Sequence, residues 1–300
     1  MELDRVDPAL RAAVQRPLGL PIDTRAGRLL GRLGPRLIRW PREPGVRIGR
    51  SRLGGVRVRT YAPATRRTEA VLLWIHGGGM VLGAPPMDDR FCSEIAAELG
   101  MRVASVDYRL APDHPFPAPL DDCAAVHEAL VERGCARIAI GGQSAGGGLA
   151  AALALRLRDA GGQRPIAQLL LCPMLDDRTA ADRSLDAAEH FVWSNASNRI
   201  GWRALLGQEP GGATAPAHAV PARAADLSGL PSAWIGVGDI DLFHAEDLAY
   251  AERLRAAGVE VEVREVPGAP HGFESIAPST EPAVRFRAAA RAWLAEHAAP

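Results

Sequence analysis

The chain has 300 residues with 35 basic and 35 acidic side chains, so its formal net charge is zero. Every basic side chain is arginine, which excludes Schiff-base and P-loop lysine chemistry. The even balance also lacks the basic excess expected of a nucleic-acid-binding domain.

Such a length suits one large α/β domain or two small ones. Cys92, Cys123, Cys135 and Cys172 are widely spaced, with no CxxC or Cys/His cluster. No metal and no cofactor is expected, and reduced, partly buried thiols fit a cytoplasmic setting. Glu2, Asp4, Arg5 and Asp7 leave no room for an apolar signal core. No run of about 18 apolar residues suggests a membrane span.

Residues 1–45 mix apolar residues with Arg, Gly and Pro. Leu29-Leu30, Leu33 and Leu37-Ile38 fall at helical spacing, which predicts short amphipathic helices. These should pack elsewhere, because Leu18, Leu20, Ile22 and Trp40 would otherwise be exposed. Val46 to Ala62 alternates as a strand with one polar face. Residues 70–75 are continuously apolar and read as a strand buried on both faces, as inside a parallel sheet.

From there strands and helices alternate. Helices are expected at 91–99, 120–133, 144–158, 244–257 and 282–297. Strands are expected at 102–106, 136–141, 166–171, 233–237 and 259–266. This pattern implies a parallel sheet with helices on both faces. It breaks between Asp176 and Leu230. Phe191, Trp193, Trp202 and Leu205-Leu206 there suggest a helical lid, with 211–216 as its return loop. No interfacial amphipathic stretch is read in the chain, so action on lipid droplets is not expected.

Gly142-Gln143-Ser144-Ala145-Gly146 lies between a predicted strand and a predicted helix. G-x-S-x-G in that context is a sharp turn that presents one serine at the sheet edge. A serine hydroxyl needs an adjacent base, and the base needs an orienting acid. Of eight histidines, His271 alone sits in a glycine-flanked loop after a late strand. It is the candidate base. Asp239 and Asp241 follow the strand at 233–237, and either could be the acid or an N-cap. His76-Gly77-Gly78-Gly79 follows the buried strand at 70–75. Such a loop supplies N–H donors to an oxyanion, here from Gly78 and Gly79, with Ala145 as the other donor. His76 itself reads as a residue that holds the loop rather than as a second base.

These segments resemble the hormone-sensitive-lipase-like family of α/β-hydrolases. Tyr108-Arg109-Leu110-Ala111-Pro112-Asp113-His114-Pro115 and Cys172-Pro173-Met174-Leu175-Asp176-Asp177 are similar to segments of that family too. The resemblance runs from about residue 50 to the C-terminus. It implies an α/β-hydrolase fold, with a mostly parallel eight-stranded sheet flanked by helices and a helical cap. On that reading one domain spans 1–300. The cap is formed by about 1–45 and 178–222, and the catalytic core by about 46–177 and 223–300.

The implied activity is that of a serine carboxylesterase. It would cleave short- to medium-chain acyl esters through an acyl-enzyme, with Ser144, His271 and Asp241 as triad. The family places its acid nine residues before a tyrosine, here Tyr250, which selects Asp241. Met80, Phe191, Trp193 and Trp202 are the candidate substrate-binding residues. The implied partner is a small-molecule ester, and a homodimer is a further implication. Gln143 departs from the family, which often has aspartate there. Alternatives on the same residues are a non-hydrolytic small-molecule binder, an amidase, a deacetylase or an acyltransferase.

Overall fold

The computed structural model describes residues 2–15, 19–188 and 190–299; Leu18 lies outside them. In chain order the strands are β1 (Arg47–Leu53), β2 (Val56–Ala62), β3 (Val71–Ile75), β4 (Arg102–Val106), β5 (Ile138–Gln143), β6 (Gln168–Leu171), β7 (Ala233–Gly238) and β8 (Val261–Val266). They form one eight-stranded sheet in the order β1-β2-β4-β3-β5-β6-β7-β8. β1 with β2 and β2 with β4 are antiparallel; every other pair is parallel. The expected single strand over 46–62 is therefore a hairpin. Gly54 and Gly55, with φ of 53° and 80°, make a two-residue turn of the kind that only residues tolerant of positive φ form readily.

The helices are α1 (Arg11–Val14), α2 (Arg25–Leu37), α3 (Asp89–Leu99), α4 (Ala118–Glu132), α5 (Ala145–Asp159), α6 (Asp177–Ala181), α7 (Asn195–Leu206), α8 (His244–Ala256), α9 (Phe273–Ile276) and α10 (Glu281–Ala298). Side chains of a strand alternate between faces, so each strand feeds two cores. Val71, Leu73 and Ile75 of β3 join the core under α4, α5 and α8. Leu72 and Trp74 join the core under α3 and α10. Burial on both faces explains why β3 reads as an unbroken apolar run.

α5 is the central helix, and small residues let it sit close. A Cβ on Gly148 would lie 2.1 Å from the Met174 carbonyl oxygen, and one on Gly147 would lie 2.8 Å from Pro173. The sheet thereby carries the strand-to-helix turn at 143–145 into the centre of the molecule.

The N-terminal segment packs in an unexpected sense. Val6 and Leu10 are buried, and the Asp7 N–H donates to Gly268 O at 2.9 Å. In α2, however, Leu29, Leu30, Leu33 and Leu37 face outward, at 57%, 60%, 48% and 86% exposure. The expectation that these leucines pack inward is overturned, because the inner face is built from glycine. A Cβ on Gly27 would meet Pro21 O at 2.1 Å, and one on Gly31 would meet Leu82 Cδ2 at 2.5 Å. Only the missing side chains let the helix approach so closely.

Between β6 and β7 lie α6 and α7. The Ser194 side chain caps α7 by accepting from Ser197 N, the usual use of serine at a helix start. Trp202 and Leu205 turn inward from α7 and are buried.

Candidate active site

Ser144 sits between β5 and α5 with φ 54° and ψ −122°, a region that a residue with a Cβ enters only under constraint. The flanking glycines supply it. A Cβ on Gly142 would lie 2.3 Å from Gly146 O, and one on Gly146 would lie 2.0 Å from Ile75 O. The Ser144 N–H donates to Leu171 O at 2.8 Å. The elbow is thus clamped against both neighbouring strands of β5.

His271 arrives on the loop after β8 and Asp241 on the loop after β7, both at C-terminal strand ends. His271 Nε2 lies 2.9 Å from Ser144 Oγ, and Nδ1 lies 2.8 Å from Asp241 Oδ2. A carboxylate only accepts, so Nδ1 carries the proton, and Nε2 is free to accept from the serine hydroxyl. Asp241 is held in turn, because its Oδ1 accepts from Phe243 N at 2.9 Å. The Phe243 ring meets the imidazole edge-on at 5.0 Å. Asp239 does not touch His271. Its Oδ1 accepts from Gly268 N at 2.7 Å and pins the turn that carries the histidine loop.

Burial on its own lowers the His271 pKa, but the Asp241 charge and hydrogen bond outweigh it, with Glu274 adding to them, and the net shift is upward. Only the neutral imidazole accepts a proton. Activity should therefore fall on the acid side as His271 protonates. The acid limb of kcat/KM is expected to have its midpoint above about 6.5, the ordinary histidine value. It should move down in Asp241→Asn. A wild-type midpoint below that value would show that Asp241 does not govern the imidazole.

The glycine loop after β3 lies beside the serine. Gly78 and Gly79 have φ of 116° and 59°, and a Cβ on Gly79 would lie 2.1 Å from the Trp193 ring. Among the described residues, the N–H groups of Gly78, Gly79 and Ala145 have no hydrogen-bond acceptor. His76 holds the loop. Its Nδ1 donates to Gly77 O at 2.8 Å, and its ring stacks on Tyr108 at 4.3 Å. Tyr108 Oη donates to His76 O at 2.9 Å. Burial lowers the His76 pKa to about 4, so it is neutral and suited to packing.

Gln143 is tied to the residues that follow His271. Its Nε2 donates to Glu274 Oε1 and, at 3.0 Å, to Ser275 Oγ. The amide thus cross-links the serine elbow to the histidine loop by donating to both side chains, which a carboxylate cannot do. Cys172 Sγ, a carboxylate oxygen of Asp241 and a ring nitrogen of His271 all lie within 4.8 Å of one another. Burial, with Glu274 and Asp241 nearby, pushes the thiol well above its ordinary pKa. It is therefore a protonated neighbour of Asp241 and His271 rather than a thiolate ligand.

A cavity of about 480 Å³ opens on Ser144 and His271. Its apolar wall includes Leu20, Ile22, Leu82, Val192, Trp193 and Ile276, with Asp88 and Gln143 as polar points. Of the four residues expected to bind substrate, Trp193 alone lines it. Met80 and Trp202 point into the core at 1% and 0% exposure, and Phe191 is partly buried and packs against the opposite core. Met80 is turned inward by its own positive φ of 66°. Leu20, Ile22, Val192 and Ile276 are not among the substrate-binding residues expected from the sequence, since no periodicity marks residues that meet only through long-range packing.

A family described as alpha/beta hydrolase fold matches residues 72–275. Esterase LipI of Mycobacterium tuberculosis is 34% identical over 293 residues, covering 91% of this chain and 89% of its own length. Carboxylesterase NlhH of the same species is 37% identical over 243 residues, covering 77% and 75%. Among solved structures, Bacterial Heroin Esterase superposes with a TM-score of 0.91 at 33% identity, over 99% of both chains. A Hormone-Sensitive Lipase from a Metagenome Library superposes with 0.85 at 30% identity, over 100% of this chain and 99% of that one.

Proposed function

This chain belongs to the hormone-sensitive-lipase-like family of α/β-hydrolases and is a carboxylic ester hydrolase, and from that premise we propose that Ser144 is its acylated nucleophile. The observation that carries this is the unbroken hydrogen-bonded chain from Ser144 through His271 to Asp241. Ser144 Oγ attacks the ester carbonyl while His271 Nε2 takes its proton. The collapsing tetrahedral intermediate expels the alcohol, which leaves with that proton. Water then repeats the sequence on the acyl-enzyme, with His271 as base and then acid. Asp241 stabilises the imidazolium formed in each half-reaction without itself taking the proton.

The N–H groups of Gly78, Gly79 and Ala145 are the proposed oxyanion donors. They are supported by their lack of other acceptors and by their place on either side of the serine. Such a donor matters because it is fixed before charge develops, and each is worth about 3–4 kcal/mol in the transition state.

Residues 1–45 and 178–222 form the proposed cap over a core of 46–177 and 223–300. Leu20, Ile22, Val192 and Trp193 from the cap segments all line the catalytic cavity, which supports this division. A cytoplasmic setting and a homodimer belong to the same proposal. Among the described residues, no helix is long and apolar enough to cross a membrane.

The cavity is modest and mostly apolar, which favours short to medium acyl chains. Turnover of p-nitrophenyl esters should peak between acetate and hexanoate and fall for longer chains. Trp193→Ala should shift the optimum toward longer chains, by removing the indole that abuts Gly79. A profile that rises steadily to dodecanoate would contradict this acyl preference.

A further inference from the structure

We infer that α2 is an interface-seeking element that docks this enzyme on anionic lipid surfaces. The inference goes beyond the hydrolytic reading of the site and runs against the expectation that the chain holds no interfacial amphipathic stretch.

At 100° per residue, Leu29, Leu30, Leu33 and Leu37 fall within an arc of about 100°. All four are exposed, and Ile38, the extended residue that follows the helix, is exposed at 56%. Among the described residues, these five are most of the large hydrophobic side chains left open to solvent, the others being Val192 and Val284. Singly exposed leucines are ordinary, whereas a contiguous stripe marks an interaction surface.

The helix is held in this sense from below. Arg32 Nε donates to Val81 O at 2.9 Å, and another of its guanidinium nitrogens donates to Ala111 O at 2.7 Å; it also pairs with Asp113. Arg36 forks onto Asp107 at 2.6 Å and 3.1 Å. With Gly27 and Gly31 pressed against Pro21 and Leu82, the glycine and arginine sides are committed to the protein. The leucine side has nowhere else to go.

Charge selects the occupant. From Thr24 to Arg42 the sequence holds six arginines and no acidic residue. Arg25, Arg39 and Arg42 are exposed, and among the described residues none of the three forms an ion pair with an acidic side chain. A basic rim around an apolar stripe, on a helix too rich in arginine and glycine to be buried whole, is the pattern of a helix lying in the headgroup plane of an anionic membrane. The same rim would repel its own copy across a symmetric dimer. Docking there would be felt at the site, because Gly31 rests on Leu20 and Leu82, which line the catalytic cavity.

The test is co-sedimentation of the full chain with vesicles of phosphatidylcholine alone and of phosphatidylcholine mixed with phosphatidylglycerol. Binding is expected on the mixed vesicles, weakening as salt rises. Arg25→Glu with Arg39→Glu should weaken it by about tenfold or more. The triple variant Leu29→Ser, Leu33→Ser, Leu37→Ser should abolish it while leaving p-nitrophenyl acetate turnover at the wild-type level. Three outcomes overturn the inference. One is no binding to mixed vesicles. Another is binding that the leucine variant retains. The last is a concentration-dependent dimer, seen by analytical ultracentrifugation, that the leucine variant loses while wild type ignores vesicles.

Discussion

Ser144→Ala is expected to lower kcat for p-nitrophenyl butyrate by about a millionfold, with the folded state intact. The reason is that the serine works only as part of a unit. Alanine leaves His271 Nε2 with nothing to deprotonate, so the covalent route closes altogether. The elbow itself survives, because its shape comes from Gly142, Gly146 and the Ser144 N–H to Leu171 O bond, none of which uses the hydroxyl. Residual hydrolysis above the water rate, of about 10³–10⁴-fold, would come from the oxyanion donors and from binding. Turnover within a few-fold of wild type in a preparation free of contaminating esterase would remove Ser144 from the mechanism.

The second large effect separates two neighbouring carboxylates. Asp241→Asn should cost about 10⁴-fold in kcat. Asparagine can still accept from Phe243 N, so the loop keeps its shape. Its amide N–H₂ now faces His271 Nδ1, however, and favours the tautomer with the proton on Nε2. That nitrogen can then no longer accept from Ser144. Asp239→Asn should change kcat by less than about threefold, since the asparagine carbonyl can replace the lost acceptor for Gly268 N. The reverse ranking would make Asp239 the orienting acid and leave the observed Asp241–His271 contact without a role.

The core of the fold was legible because its signals are local. β3 is buried on both faces and so is apolar at every position. β5, the elbow and α5 follow one another without interruption, so the serine could be placed at a strand-to-helix turn from the sequence alone. The two acids show where that legibility ends. Asp239 and Asp241 are chemically alike and two residues apart. The family pattern favoured Asp241, and the geometry joins that residue to His271. The sheet edge was blurred for a simpler reason: the alternation is clear only from Val56 onward, and the turn at Gly54-Gly55 pairs Leu53 with Val56, so the phase shifts by one residue across it.

The substrate pocket and the N-terminal helix were much less legible. Met80 directly follows the glycine loop and Trp202 lies on α7, yet both turn into the core. The cavity wall comes instead from Leu20, Ile22, Val192 and Ile276, on segments far apart in the chain. α2 misled by the usual rule that the apolar stripe of a helix faces inward. Glycines and arginines anchor that helix, and the leucines are left outside.

The most direct test of the central claim is peptide mapping after exposure to a p-nitrophenyl alkylphosphonate, which stops at a tetrahedral adduct on an activated serine. One adduct per chain should form, on the peptide that carries Ser144, with esterase activity lost in step with labelling. Full labelling of Ser144 with activity retained, or loss of activity with the adduct on another residue, would contradict the account.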